Sequence, residues 1–419
     1  MDHVSRDQTA SEGEAVSVGW TWPRGMLGLS LVNFVLRILT LGIYSFWATN
    51  ETRKRIWSGI RFNGEPLTYT GRGLELFIGF LLVIPIFVAF GAALFAINYY
   101  FAQTPSVVIP ATIAVYVVLF MLVGLAIYRS WRYRLARTHW RGIRASLEGN
   151  QWSFAWTYFW TSLLIPLTLG WISPWRTTTL QRLLVSSSKF GTRPFRFTAT
   201  SGPLYGPFAL LYFGSIATFV GVFGTLFQIV MNARQAQELG LTYTPTPLEG
   251  VIAVVSIPLG FIIFIMLGAW YGARVVNHFA KHTHFENASF SANTTALGFI
   301  WIGLSNLILA ILGIAAVSGV TFLAMTAFVP LEQWQLAINP ELDPQLRANI
   351  MAALTTPFAI AIALGATLFA PIIQARTIGY IMRRTTLSGT VPLNEIEQSR
   401  GADIKYGEGL AGAFDVDAF

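Results

Sequence analysis

Leu39-Thr40-Leu41-Gly42-Ile43-Tyr44-Ser45-Phe46-Trp47 closes a short apolar segment that begins at Ser30. It returns as Leu167-Thr168-Leu169-Gly170-Trp171-Ile172-Ser173-Pro174-Trp175, the end of a second short segment that begins at Phe159. Crossing ~30 Å of hydrocarbon takes about 20 residues, so both segments are short for a span. The first holds Arg37, and the second holds Pro166 and Gly170. Basic residues follow each, then a tight turn: Phe62-Asn63-Gly64-Glu65-Pro66 after the first, Phe190-Gly191-Thr192-Arg193-Pro194 after the second. Asn-Gly between apolar flanks is a hairpin signal. The recurrence reads as an internal repeat.

Working outward, six longer apolar blocks run near 74–101, 107–128, 204–232, 250–273, 296–328 and 352–375, none with Asp or Glu in its middle. Whether the short segments also cross is decided by charge. Lys and Arg number five in 48–73, six in 129–155, five in 176–203, two in 274–295 and five in 376–419. The opposite connections, 102–106, 233–249 and 329–351, hold only Arg234 and Arg347. Basic loops stay cytoplasmic. They share one side only if the short segments are re-entrant or interfacial.

The expected fold is therefore an all-α polytopic membrane protein. It has six long helices in three hairpins, two short re-entrant or interfacial segments and small cytoplasmic β-hairpin loops. Its expected parts are a disordered tail over 1–26, a first repeat unit over 27–155, a second over 156–295, a third helical hairpin over 296–385 and a C-terminal tail over 386–419. Both termini are expected in the cytoplasm. Further turn echoes are read at Leu147-Glu148-Gly149-Asn150, Phe285-Glu286-Asn287-Ala288 and Leu387-Ser388-Gly389-Thr390.

Composition excludes much else. Only 11% of residues are charged against 54% hydrophobic, too few to cover a soluble surface. The net charge of +8 sits at the ends of apolar blocks, which orients a membrane protein and is not the footprint of nucleic-acid binding. With no cysteine, disulfides, thiol nucleophiles and iron–sulfur clusters are excluded.

The run 39–47, Arg53-Lys54-Arg55-x-Trp57-x-Gly59, Phe62-Asn63-Gly64, Tyr69-Thr70-Gly71 and the closing Tyr406-Gly407-Glu408-Gly409-Leu410-Ala411 resemble the YjgN-like family of bacterial inner-membrane proteins. The resemblance covers the chain from about residue 25 onward. It implies an inner-membrane location and, the family being a domain of unknown function, transfers no catalytic residues.

Candidate residues follow from chemistry. Arg53, Lys54, Arg55, Arg132, Arg134, Arg137 and Arg141 are candidate contacts for anionic lipid headgroups or phosphate on the cytoplasmic side. Arg37 and Asn306 are candidate intramembrane polar groups. Gly268 and Gly272 match the Gly-x-x-x-Gly pattern of close helix packing, within one chain or between copies in a homo-oligomer. His278 and His282 could share a helix face, but Lys281 beside them disfavours a metal. No phosphate-binding loop or nucleophile elbow is present. No cofactor and no enzymatic activity are expected. Two functions stand: a transport or permeation pathway for a small solute or lipid, and a non-transporting scaffold or anionic-lipid-binding protein.

Overall fold

The computed structural model describes residues 14–399 apart from 242, 245 and 340. In chain order the elements are β1 (Glu14–Ala15), β2 (Val18–Trp20), α1 (Met26–Leu39), α2 (Ser45–Gly59), β3 (Ile60–Phe62), β4 (Glu65–Pro66), β5 (Thr68–Tyr69), α3 (Gly73–Tyr100), α4 (Pro105–Ala136), β6 (Thr138–Trp140), β7 (Ile143–Leu147), α5 (Gln151–Leu167), α6 (Ser173–Ser186), β8 (Ser188–Phe190), β9 (Arg193–Phe197), α7 (Gly202–Glu238), α8 (Pro247–Lys281), β10 (Thr283–Phe285), β11 (Ala288–Ala292), α9 (Ala296–Phe328), α10 (Leu331–Ile338), α11 (Pro344–Leu368), α12 (Ala370–Met382), β12 (Thr385–Ser388) and β13 (Thr390–Val391). Six helical stretches are long and apolar enough to cross a membrane, α11 and α12 together making the sixth. The protein is a polytopic helical membrane protein.

The strands organise everything else. β5 to β12 form one antiparallel sheet in sequence order, and β2, β3 and β4 form a second. β4 runs into β5 through Leu67, and β12 lies against β2. The strands thus surround a common apolar centre containing Val16, Phe62, Phe190, Phe285, Phe290 and Val391. A void of about 210 Å³ lies within it. β1 pairs with β13, Glu14 opposite Val391, bringing together the two ends of the described chain.

Every helical hairpin leaves this sheet structure and returns to a neighbouring strand. α1–α2 lies between β2 and β3, with Trp20 opposite Ile60. α3–α4 lies between β5 and β6, with Tyr69 opposite Thr138. α5–α6 lies between β7 and β8, with Leu147 opposite Ser188. α7–α8 lies between β9 and β10, with Phe197 opposite Thr283. α9–α12 lies between β11 and β12, with Ala292 opposite Thr385. The short pairs stand between two of the three sets of long neighbours: α1 and α2 contact α12 and α3, α5 contacts α4 and α6 contacts α7, whereas α8 contacts α9 directly.

Five expectations need correction. Of the expected disordered tail, residues 1–13 lie outside the described region, whereas 14–15 and 18–20 form strands, held by Val16 in the apolar centre and by Trp20 against Met26 and Ile56. The hairpins are not separate loops, because their edges pair with one another. The first residues of the expected C-terminal tail form β12 and β13; residues 400–419 lie outside the described region. The turn near 149 is displaced: the chain reverses at Arg141-Gly142, both at positive φ (50° and 77°) as in the Asn63-Gly64 turn. Asn150 instead caps α5, its Oδ1 accepting from Trp152 N at 2.9 Å. That cap starts α5 at Gln151, so the expected boundary at 155/156 falls inside a helix.

Candidate functional site

The two Thr-Leu-Gly runs build the same elbow. At the end of α1, Leu41 (φ 50°) and Gly42 (φ 91°) turn left-handed. Gly42 N donates to Arg37 O at 2.7 Å and Leu41 N to Ile38 O at 3.1 Å, the Schellman pattern that ends a helix. Thr40 then serves both helices: its hydroxyl donates to Leu36 O at 2.7 Å and accepts Tyr44 N at 2.9 Å. In the second elbow Leu169 and Gly170 have φ of 50° and 88°. Gly170 N donates to Ile165 O at 2.6 Å. The Thr168 hydroxyl donates to Leu164 O at 2.7 Å and accepts Ile172 N at 3.3 Å. In both elbows every amide from the Thr to the Ser five residues on has an acceptor. Such a turn satisfies its amides without water, and its side chains point outward: Leu41 is 95% exposed and Leu169 78%.

Burial divides the first two long hairpins into two zones, whereas the third keeps a buried cluster of Met325, Ala337 and Leu354 at its far end. In α4, Leu125, Tyr128 and Tyr133 near the sheet are buried, whereas Ile109, Ile113 and Tyr116 at the far end are exposed. In α3, Leu76 and Val83 are buried and Phe95 and Tyr99 exposed. The cause is length. The 14 residues of α1 rise roughly 21 Å, while the 32 of α4 rise roughly 48 Å at 1.5 Å per residue. The short pairs wall in only the sheet-proximal zone. Beyond them, α7 and α8 enclose an apolar groove of about 660 Å³ lined by residues including Tyr212, Ser215, Phe219, Gly260 and Phe264. The second elbow abuts it: Trp171 packs on Phe208 and Tyr212 at ring distances of 5.7 and 5.3 Å.

The candidate arginines are largely engaged by the protein. Arg137 Nη2 donates to Glu75 Oε1 at 3.0 Å, and Tyr133 OH donates to Glu75 Oε2 at 2.7 Å. Arg53 is buried with Nη1 at 3.4 Å from Tyr69 OH. Arg134 is buried over Trp131. Arg141 grips Glu65 with two hydrogen bonds, 2.9 and 3.1 Å, and the hydrogen bond from Arg141 holds the Glu65 carboxyl below its usual range. Lys54 pairs with Glu51 at 2.7 Å, and Arg55 donates to Arg24 O. Arg132 is half-buried.

Arg37 is half-buried in the last turn of α1, its Nε donating no hydrogen bond among the described residues. Asn306 joins a polar cluster: its Oδ1 accepts Arg376 Nε at 3.1 Å and its Nδ2 donates to Thr377 Oγ1 at 3.1 Å. Sequence reading missed Arg376 because it assigned that residue to a basic loop, whereas α12 carries it up to Met382. Gly268 and Gly272 face open space, so they are not where helices of this chain approach. That approach is at Gly313 and Gly365, where a Cβ on Gly365 would lie 2.6 Å from Ile314 Cα. His278 Nε2 meets Thr200 O, and His282 Nδ1 meets His278 O, both at 2.8 Å.

Residues 24–413 match a family described as bacterial protein of unknown function, DUF898. Proteins named inner membrane protein YjgN are similar over parts of the chain. That of Salmonella typhimurium is 42% identical over 14% of this chain and 15% of its own length. Those of Escherichia coli K12 and O157:H7 are 25% and 22% identical over 34% and 49% of this chain. The chain thus spans 33% and 45% of the length of those two relatives. No solved structure matches.

Proposed function

Since the chain belongs to the DUF898 family of bacterial proteins of unknown function, we propose from its geometry that it is an inner-membrane permeation pathway for lipid. The observation that carries this is the change from a walled zone near the sheet to separate apolar hairpins beyond it, with the α7–α8 groove open there. Bilayer lipid has access to those gaps. An acyl chain fits such a groove, whereas an ion finds no charged side chain among its lining residues. The YjgN relatives are named inner membrane proteins, which supports the location.

In this reading the sheet is cytoplasmic, both termini lie on its side, and the short pairs are re-entrant units of an internal repeat. The shared hydrogen bonding of the two elbows supports the repeat. The return of each short pair to a neighbouring strand supports three crossing hairpins. With no native cysteine, single cysteines at Ser58, Ser187 and Thr104 test it in intact cells. An impermeant thiol reagent labels only the Thr104 position if the short pairs re-enter. Labelling of Ser58 and Ser187 from opposite sides ends the reading.

The functional test is reconstitution. Liposomes holding the protein move a fluorescent phospholipid probe between leaflets faster than empty ones, while a trapped polar dye stays inside. Equal rates for the lipid probe refute the pathway. They favour the second reading, a scaffold, whose support is the strand assembly with its shared apolar centre.

A further inference from the structure

We propose a binding site for the headgroup of an anionic phospholipid in the cleft where the sheet-proximal ends of α7, α8 and α9 meet. The cleft holds about 450 Å³ and is lined on α8 by Trp270, Arg274, His278 and Lys281. α7 contributes Pro207 and α9 contributes Ala296. None of the sequence-derived headgroup candidates lines it.

Four features give it anion chemistry. Arg274 and Lys281 are exposed and form no ion pair among the described residues. This separates them from Arg137, Arg141, Lys189 and Arg193, which are all held by glutamates. No carboxylate lines the cleft. The cleft is also built rather than loose: Asn277 Nδ2 donates to Thr294 O at 2.8 Å, and Asn277 Oδ1 accepts Thr294 N at 2.9 Å. These bonds pin the start of α9 to α8, so the positive end of the α9 dipole sits at the cleft edge beside Ala296.

The apolar part of the lining decides for a lipid over free phosphate. Trp270 lies under the Arg274 guanidinium, 5.4 Å from ring centroid to Cζ, an aromatic and cationic pair suited to the bilayer surface. Leu204, Pro207 and Ala273 continue the wall. A glycerol backbone contacts that wall while its phosphate meets Arg274. Lys281, seven residues on and roughly 10 Å along the axis, meets the polar end of the headgroup. The site rests on the reading that this end of the helices lies at a bilayer surface. It does not depend on lipid crossing.

The test is native mass spectrometry of the full-length protein with phosphatidylglycerol or phosphatidylcholine added. Phosphatidylglycerol is expected to bind preferentially, and R274Q/K281Q to weaken it about tenfold without changing phosphatidylcholine binding. Ala296→Asp, a charge that the first turn of a helix favours, is expected to do the same with an unchanged melting temperature. Equal phosphatidylglycerol binding by both variants overturns the site. Stabilisation of the wild-type protein by inorganic phosphate in neutral nanodiscs, lost in R274Q/K281Q, overturns the lipid assignment. The lipid-flip assay on the same variants separates this site from the permeation reading: binding lost with flipping intact leaves both standing, and wild-type binding without flipping leaves the headgroup site alone.

Discussion

Thr40→Val removes one hydroxyl and preserves shape, and its cost reports where the first elbow sits. The hydroxyl accepts Tyr44 N at 2.9 Å and donates to Leu36 O. Leu36 O keeps Thr40 N as a partner, so the group stranded by the substitution is the Tyr44 amide. Losing the hydrogen bond itself costs about 1 kcal/mol. An amide stranded away from water adds about 1–3 kcal/mol. The expected total is roughly 2–4 kcal/mol if hydrocarbon surrounds the elbow. If water reaches it, Tyr44 N is rehydrated and the cost falls to that of the one hydrogen bond. Thr168→Val should cost less, because the Ile172 amide is farther from its hydroxyl, at 3.3 Å. The assay is reversible unfolding in bicelles by titration with denaturing detergent, followed by tryptophan fluorescence. A Thr40→Val cost of 1 kcal/mol or less refutes a lipid-embedded elbow.

Gly365→Val should destabilise by about 3 kcal/mol or more, since the new Cβ would meet Ile314 Cα and Gly313 O and backbone cannot yield as a side chain does; the same bicelle titration reads it. Asn306→Leu leaves Arg376 Nε without its acceptor at 3.1 Å, while Arg376 Nη2 still donates to Ser305 Oγ, at a cost of about 1–3 kcal/mol. Adding Arg376→Met should recover most of that loss, and a double variant as unstable as Asn306→Leu argues against the pair. Glu148 is held below the usual carboxylate range by the Lys189 hydrogen bond. A depressed folded value contributes stability above the unfolded value, and that contribution fades as pH falls through the folded one. Lys189→Met should therefore flatten part of the acid limb of a melting-temperature profile.

The long helices were legible because each is a dense apolar run: the expected block 296–328 coincides with α9, and 74–101 with α3 to within a residue. The elbows were legible as a repeated string, and their mechanism lies in local bonds from Thr40 and Thr168. The sheet was not legible. Its strands are two to five residues long, too short to show a period. Its decisive pairings are long-range, as with Glu14 and Val391. Nothing local near residue 14 announces a partner at the other end of the chain.

The partners of the arginines were not legible for a related reason. Counting basic residues per loop measures topology and treats each cation as available. Availability depends on acids brought in by other elements: Glu75 on α3 reaches Arg137 at the end of α4, and Glu65 in β4 reaches Arg141 in the β6–β7 turn. Both meetings follow from the strand order, because β4 and β5 lead directly toward β6 and hold the foot of α3 beside that of α4. The same strand order draws the ends of α7, α8 and α9 together around Arg274 and Lys281 without delivering an acid to them. Strand order thus decides which of these cations are neutralised by the protein's own acids and, on the proposed reading, which are left to meet a charged lipid, although the strands themselves carry few of those charges.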